Sequence, residues 1–356
     1  MKREPNVLKV NLGEYKHYWR GVKKIGKTTM YRDLLRAAYG DCKYGFHISI
    51  GNETGAKAIS GIYTQEAPDW ESFVEIIDDL VENKQDNEFK LVALDTVDEL
   101  VSIAIDKTLK IHFQRKGEKA LSLNAALGGY GAGKKYLVKL VNDQIKRLES
   151  AGYGLVFIGH TKIRDVKEKN MDEGYQQLTS NLEADYDGIF TDKADIIASF
   201  YNSKDVKDKT LVGTQRYIYF RNDGFVDAGS RFPDMPERVE MSAENYLKAF
   251  EQGVISAFET PIDSKELAKM KKKELEQREE SSRKYIEKAK TGSVENANSL
   301  KTPEDYIDLI NKEIASLDKE GKTQKQNELK EHNVPTNYKE LTDIETLKII
   351  LKVVSN

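Results

Sequence analysis

Apolar positions follow two rhythms along the chain. Short continuous runs at 44–50, 90–96 and 154–161 have the length and composition of parallel strands buried on both faces. Between them, residues 30–39, 69–81, 97–110 and 137–148 place apolar side chains three and four positions apart, the spacing of amphipathic helices. Gly40 is placed to end the first of these helices and Asp69 to cap the second. Residues 194–201, 215–221 and 225–227 are strand-like, and Asn222-Asp223-Gly224 is a hairpin signal, so the sheet is expected to finish antiparallel. Residues 162–192 carry no long apolar period and read as a long loop holding Lys162, Arg164, Lys167, Lys169 and Tyr175. A short helix over 243–253 closes the main unit.

The remainder changes character. Residues 264–290 are charge-dense and polar nearly all round, as in an exposed helix or linker, and 291–299 read as a Gly/Ser/Asn-rich hinge. Thr302 as N-cap and Pro303 at the first helical position open a module with helices near 306–317, 323–331 and 344–354. The expected division is an α/β domain over 1–258, a charged helical linker over 259–299 and a C-terminal helical module over 300–356.

The chemistry gathers at the ends of the strands. Gly21-Val22-Lys23-Lys24-Ile25-Gly26-Lys27-Thr28-Thr29 fits the phosphate-loop pattern G-x-x-x-x-G-K-[ST] at every fixed position. Glycines let backbone N–H groups turn onto phosphate oxygens, Lys27 brings a charge to the β- and γ-phosphates, and the Thr28 hydroxyl ligates Mg²⁺. The strand expected upstream, 15–20, is unusually polar for a central parallel strand. Asp95 ends an apolar run, the placement of a carboxylate that organises Mg²⁺. Glu53 lies just past a strand end and reads either as an ordinary loop carboxylate or as a ligand-edge acid. His160, at the end of another strand, reads either as structural or as facing the γ-phosphate. A second nucleotide loop at 128–135 is rejected, because no apolar strand precedes it and no hydroxyl follows Lys134. That stretch reads as a flexible surface loop or as one that orders on a polyanion. Arg231 stands in a loop at 229–233.

Composition narrows the setting. A formal charge of −3 over 356 residues shows no global basicity, so any nucleic-acid contact must be local. The single Cys42 excludes an internal disulfide and a cysteine-rich zinc site and fits a reducing cytoplasm. No apolar stretch approaches the ~20 residues of a membrane span, so no membrane partner is expected.

In their order, the phosphate loop, Glu53, Asp95, His160 and an antiparallel finish with Arg231 resemble the RecA-like core ATPases carried by bacteriophages, a family associated with single-strand annealing and recombination. The resemblance spans roughly 10–255 and implies a RecA-like P-loop NTPase with a mainly parallel sheet and an antiparallel C-terminal edge. By resemblance, Lys27 and Thr28 are the phosphate-loop pair, Asp95 organises Mg²⁺, Glu53 activates the attacking water and His160 senses the γ-phosphate. The stretches at about 112–135 and 162–192 are placed like DNA-binding loops. Related oligomers use a Lys-x-Arg pair to reach a neighbour's nucleotide; here Gly229 takes the lysine position and only Arg231 matches.

The expected function is ATP hydrolysis with Mg²⁺, stimulated by single-stranded DNA, in a homo-oligomer that promotes annealing or strand exchange in the host-cell cytoplasm. A single-strand-binding or replication protein is a further expected partner. The alternative is a nucleotide-switched loader or regulatory ATPase that grips a protein partner through its C-terminal helices. A small-molecule kinase is the third reading.

Overall fold

A computed structural model describes residues 7–167, 171–207, 210–295, 303–317, 319–331, 334–335, 337–338, 341 and 343–355. In chain order the first elements are β1 (His17–Gly21), α1 (Lys27–Tyr39), β2 (Gly45–Ile50), β3 (Tyr63–Ala67), α2 (Trp70–Glu82), β4 (Leu91–Asp95), α3 (Val97–Lys116), α4 (Ala132–Ser150) and β5 (Gly154–Gly159). Then follow β6 (Thr161–Val166), β7 (Tyr175–Ser180), α5 (Ala184–Thr191), β8 (Ile196–Lys207), β9 (Thr210–Tyr219), β10 (Gly229–Ser230), β11 (Arg238–Glu240) and α6 (Ala243–Ser256). The last are α7 (Ser264–Glu295), α8 (Pro303–Ser316), α9 (Lys319–Glu331) and α10 (Ile344–Ser355). Two compact units result, Met1–Tyr285 and Ile286–Asn356.

The first unit is an α/β domain around a nine-stranded sheet in the order β11-β9-β8-β1-β5-β4-β2-β3, with β10 beside β8. Strands β8, β1, β5, β4, β2 and β3 are mutually parallel, while β9, β10 and β11 add antiparallel pairings at one edge. This is the RecA-like arrangement of a mostly parallel sheet with an antiparallel finish. Helices α2 to α5 cover one face, and α1 and α6 cover the other. The expected caps form: the Gly40 N–H bonds the Arg36 carbonyl at 2.9 Å, and Asp69 accepts from the Ser72 N–H at 2.8 Å. Among the described residues no helix is long and apolar enough to cross a membrane.

The polar strand β1 is central and fully buried, and each of its polar side chains has a partner inside, with only Arg20 Nε among their buried atoms left without one. On one face, Trp19 donates to the Tyr246 hydroxyl at 2.9 Å, and that hydroxyl lies 2.8 Å from His17 Nδ1. His17 Nε2 sits 3.0 Å from the Leu12 carbonyl, and burial lowers this imidazole to about 4. A neutral ring must then donate from Nε2 and accept at Nδ1, which satisfies the whole chain of groups. On the opposite face, Arg20 donates to the Asp227 carbonyl at 2.7 Å and pairs with its carboxylate at 2.9 Å, while Tyr18 donates to Asp187 at 2.9 Å. Buried polar groups satisfied in this way avoid the desolvation cost that makes such strands rare.

Three expectations change. The segment at 162–192 is not a plain loop: β6 and β7 form a separate antiparallel hairpin, and α5 follows. The hairpin lies outside the main sheet and stays half-exposed, so it never needed the apolar run that marks a buried strand. The long hairpin joins β8 to β9, not 215–221 to 225–227; the latter segment contributes only a bridge from Val226 to Leu178. The glycine cluster is compact rather than a free loop, since His112 Nδ1 accepts from the Leu127 N–H at 2.9 Å and α4 begins at Ala132. A Cβ on Gly133 would lie 2.1 Å from the Leu123 carbonyl oxygen, so only glycine permits that approach.

Helix α7 docks on the first unit through a line of polar contacts. Glu274, 6% exposed, accepts from the Val10 and Asn11 N–H groups and from the Asn11 side chain at 2.8–3.0 Å. Arg278 donates to the Gly152 carbonyl and to Glu14, both at 2.8 Å, and Ser282 donates to the Ala151 carbonyl at 2.6 Å. The second unit has its own core, with Tyr306 and Ile310 of α8 against Leu347, Ile350 and Leu351 of α10, closed by Leu329 of α9. The expected cap Thr302 and the hinge residues from 296 to 299 lie outside the described residues, whereas 291–295 continue α7.

Candidate nucleotide site

Strand β1 ends at Gly21 and α1 starts at Lys27, so residues 22–26 form the turn that a phosphate loop requires. Gly26 caps α1 at φ 108°, a left-handed conformation open to glycine, and its carbonyl starts the helix by accepting from Met30. A Cβ at Gly21 would lie 2.9 Å from Phe200 Cβ, which explains the first glycine by close packing. Ile25 is buried in the core while Val22, Lys23, Lys24 and Thr29 are exposed. The loop is thus anchored by one apolar side chain and presents its backbone outward.

Lys27 is 6% exposed, and its ammonium donates to the carbonyls of Gly21 at 2.8 Å and Val22 at 3.1 Å. Burial lowers its pKa to about 8, with Lys23 adding to the effect and the charges of Asp95, Asp98 and Glu53 opposing it. Those three carboxylates mark the groups that share its field. The Thr28 hydroxyl donates to Asp95 Oδ2 at 2.8 Å, and His47 Nε2 lies 3.0 Å from the same oxygen. His47 Nδ1 is in turn 3.0 Å from the Thr64 hydroxyl, which fixes the ring against a 2%-exposed carboxylate.

Glu53 is half-buried in the loop after β2, and its Oε1 accepts from the N–H groups of Thr54 and Gly55. A Cβ on Gly55 would sit 3.0 Å from this oxygen and 3.6 Å from the Thr28 hydroxyl, so both oxygens border one small space. His160 follows β5 directly. Its N–H donates to Asp98 Oδ2 at 2.9 Å and its Nδ1 lies 3.5 Å from the same oxygen, while Asn181 donates to Asp98 Oδ1 at 3.0 Å. Burial raises the Asp98 pKa, but the bonds from His160 and Asn181 outweigh it and hold the carboxyl below its usual range.

Lys27, Thr28, Asp95 and Glu53 are therefore brought together, with His160 joined to them through Asp98. Arg231 is not. It is 64% exposed and pairs with Asp195 at 3.1 Å, and Asp195 also holds the Lys16 N–H ahead of β1. That is the edge where parallel strands begin, opposite the edge where β1 delivers the phosphate loop.

Four contributors escaped the sequence reading: Asp98, His47, Asn181 and Arg216, whose Nη1 donates to the Ile25 carbonyl at 3.2 Å. His47 was visible in principle as a polar residue inside an apolar run. Asp98 resembles any first-turn helix acid, and Asn181 and Arg216 carry no local signal.

The donor set fits Mg²⁺ with a polyphosphate. Among the described residues no group of three or more His, Cys, Asp or Glu side chains could hold a metal unaided. A hydroxyl and a carboxylate already in contact suit a cation that takes its remaining ligands from phosphate and water. The sequence model of the AAA domain family, AAA_24, matches residues 14–232, more than half of the chain. The search of curated proteins returned no match.

Proposed function

The chain belongs to the AAA domain family of P-loop ATPases, and we propose that it binds ATP with Mg²⁺ at Lys27, Thr28 and Asp95 and hydrolyses it with Glu53 as the proton acceptor. The observation that carries this reading is the convergence of the Thr28–Asp95 contact, the buried Lys27 and the Glu53 carboxylate on one loop. Mg²⁺ would be held by Thr28 and Asp95 and would offset charge on the phosphates. Lys27 contributes a fixed charge in a dry setting, where it acts more strongly than in water. Asp95 is oriented by His47. Glu53, held by two backbone N–H groups, takes the proton of an attacking water. Glu53→Gln should retain ATP binding and lose turnover by ~100-fold or more; unchanged turnover in a steady-state phosphate-release assay removes Glu53 from this role.

The proposed setting is a phage-type RecA-like protein acting on single-stranded DNA. Support comes from the β6–β7 hairpin, which starts next to His160 and carries the exposed Lys162, from the exposed Lys167 just past β6, and from Tyr130, fully exposed beside a glycine turn. Exposed aromatics with neighbouring cations suit base stacking and phosphate contact. ATP turnover measured with and without single-stranded DNA tests it: stimulation is expected, and intact hydrolysis without DNA binding or stimulation defeats the DNA reading.

The independent core of residues 286–356 supports the second reading, a nucleotide-switched loader acting on a protein partner. Removing that unit separates the two. Loss of a protein partner with DNA affinity retained favours the loader.

A further inference from the structure

The reactive end of the proposed site lies to one side of β1. Asp95 belongs to β4, and Glu53 follows β2, so the contacts that would hold the terminal phosphate stand over the β5-β4-β2 flank. A nucleotide laid across the start of α1 must then carry its other end toward β8, β9 and β11. On that flank the structure has a cleft of about 600 Å³ between α1 and the start of α6, continuous with the phosphate loop at Gly26 and Thr29. Asp33, Arg36, Ala37 and the edge of the largely buried Met30 form its α1 wall, and Met241, Ser242 and Glu244 face them. Arg216 stands between the cleft and the loop, donating to the Ile25 carbonyl. It is exposed, and among the described residues no carboxylate pairs with it. A Cβ on Gly26 would meet Met241 Cε at 3.2 Å and Arg216 Nη1 at 3.5 Å, so both side chains touch the loop itself.

We propose that this cleft is the nucleoside subsite of the nucleoside triphosphate site, with Arg216 binding at the junction of phosphate and ribose and the Met30 and Met241 side chains flanking the base. The assignment rests on the ATP-binding reading above and extends it. An unpaired guanidinium on a loop carbonyl has N–H groups to offer an anionic oxygen in a fixed direction. The volume falls in the range of small-ligand clefts, and thioether side chains adapt to a flat ring. Thr29, one residue past the Thr28 that faces Asp95, is exposed and lines the cleft, so it borders the path from the phosphate loop to the subsite.

The assignment separates two parts of one ligand, so the test compares ATP with inorganic tripolyphosphate by calorimetry on the full chain with Mg²⁺. Met241→Trp fills the cleft and leaves the Lys27, Thr28 and Asp95 side chains unchanged, and Arg216→Ala removes the guanidinium. Met241→Trp should weaken ATP about tenfold or more, equivalent to ~1.4 kcal/mol, and leave tripolyphosphate within about twofold, whereas Arg216→Ala, which removes a phosphate contact, should weaken both ligands. Parallel loss of both ligands in Met241→Trp means that the substitution disturbs the loop, and unchanged affinity for both ligands in either variant means that the nucleoside lies elsewhere; either result overturns the assignment. A wild-type chain that binds neither ligand, as Lys27→Ala should, overturns the ATP-binding reading itself.

Discussion

Lys27 shows how a single residue serves the site at the expense of the fold. Its folded-state pKa of about 8 lies below the ordinary 10.5, with burial as the main cause. Between those values the unfolded chain binds more protons than the folded one, so this group's contribution to stability rises with pH across that window. Below pH 8 the buried charge costs roughly 3 kcal/mol. Lys27→Met should therefore stabilise the nucleotide-free chain at pH 7 by up to about 3 kcal/mol in urea unfolding, with the gain vanishing as pH approaches 10.5, while ATP binding is lost. A destabilised variant would show that the two carbonyl bonds and three carboxylates hold the ammonium more strongly than burial opposes it. The same depressed value makes ATP affinity decline as pH rises above 8, because only the charged amine attracts phosphate. Calorimetry in buffers of different ionisation enthalpy should show proton uptake on binding there and none at pH 6.5.

Elements were legible where burial imposed a pattern. Strands β2, β4 and β5 lie between helices on both faces and are mostly apolar, His47 and Ser49 of β2 excepted, so their runs and their polar ends could be read directly. The phosphate loop was legible for another reason, since its backbone function permits few residue types. The β6–β7 hairpin was not, because a half-exposed two-stranded ribbon meets no such constraint. Strand β1 read as too polar for its central place, and the partners that resolve this, Tyr246, Asp187 and Asp227, lie far off in sequence. Helix α7 is the same case at its polar stripe: Glu274, Arg278 and Ser282 recur at four-residue steps, and only the docked backbone groups distinguish them from a solvated face. Glu274→Ala should cost about 2–3 kcal/mol, since it leaves buried N–H groups of the Val10 segment without an acceptor. A chain ending at 285 should then unfold as cooperatively as the full domain, and one ending at 258 at markedly lower urea. Equal midpoints for the two truncations would mean that the α7 contacts contribute nothing to the domain.

At the scale of the whole molecule, the sheet has two distinct edges. The nucleotide groups occupy the edge where parallel strands end, and Arg231 occupies the edge where they begin. Within one copy these cannot meet, but in a head-to-tail assembly the starting edge of one copy faces the nucleotide edge of the next. We propose that Arg231 acts there on a neighbour's ATP, with the Asp195 contact holding it on that edge until a phosphate replaces the carboxylate. The consequence is complementation. Arg231→Ala keeps an intact phosphate loop, Lys27→Ala keeps an intact arginine, and each alone should have little turnover. In a random one-to-one mixture half of the subunits have a working loop, and half of those adjoin a copy that retains Arg231. About a quarter of wild-type turnover per subunit should return if the interface is heterologous. Phosphate release measured across mixing ratios should peak near equal amounts and vanish on dilution below the assembly concentration. A flat, additive profile would place Arg231 outside the reaction and leave its pairing with Asp195 as a surface contact, worth no more than about 1 kcal/mol.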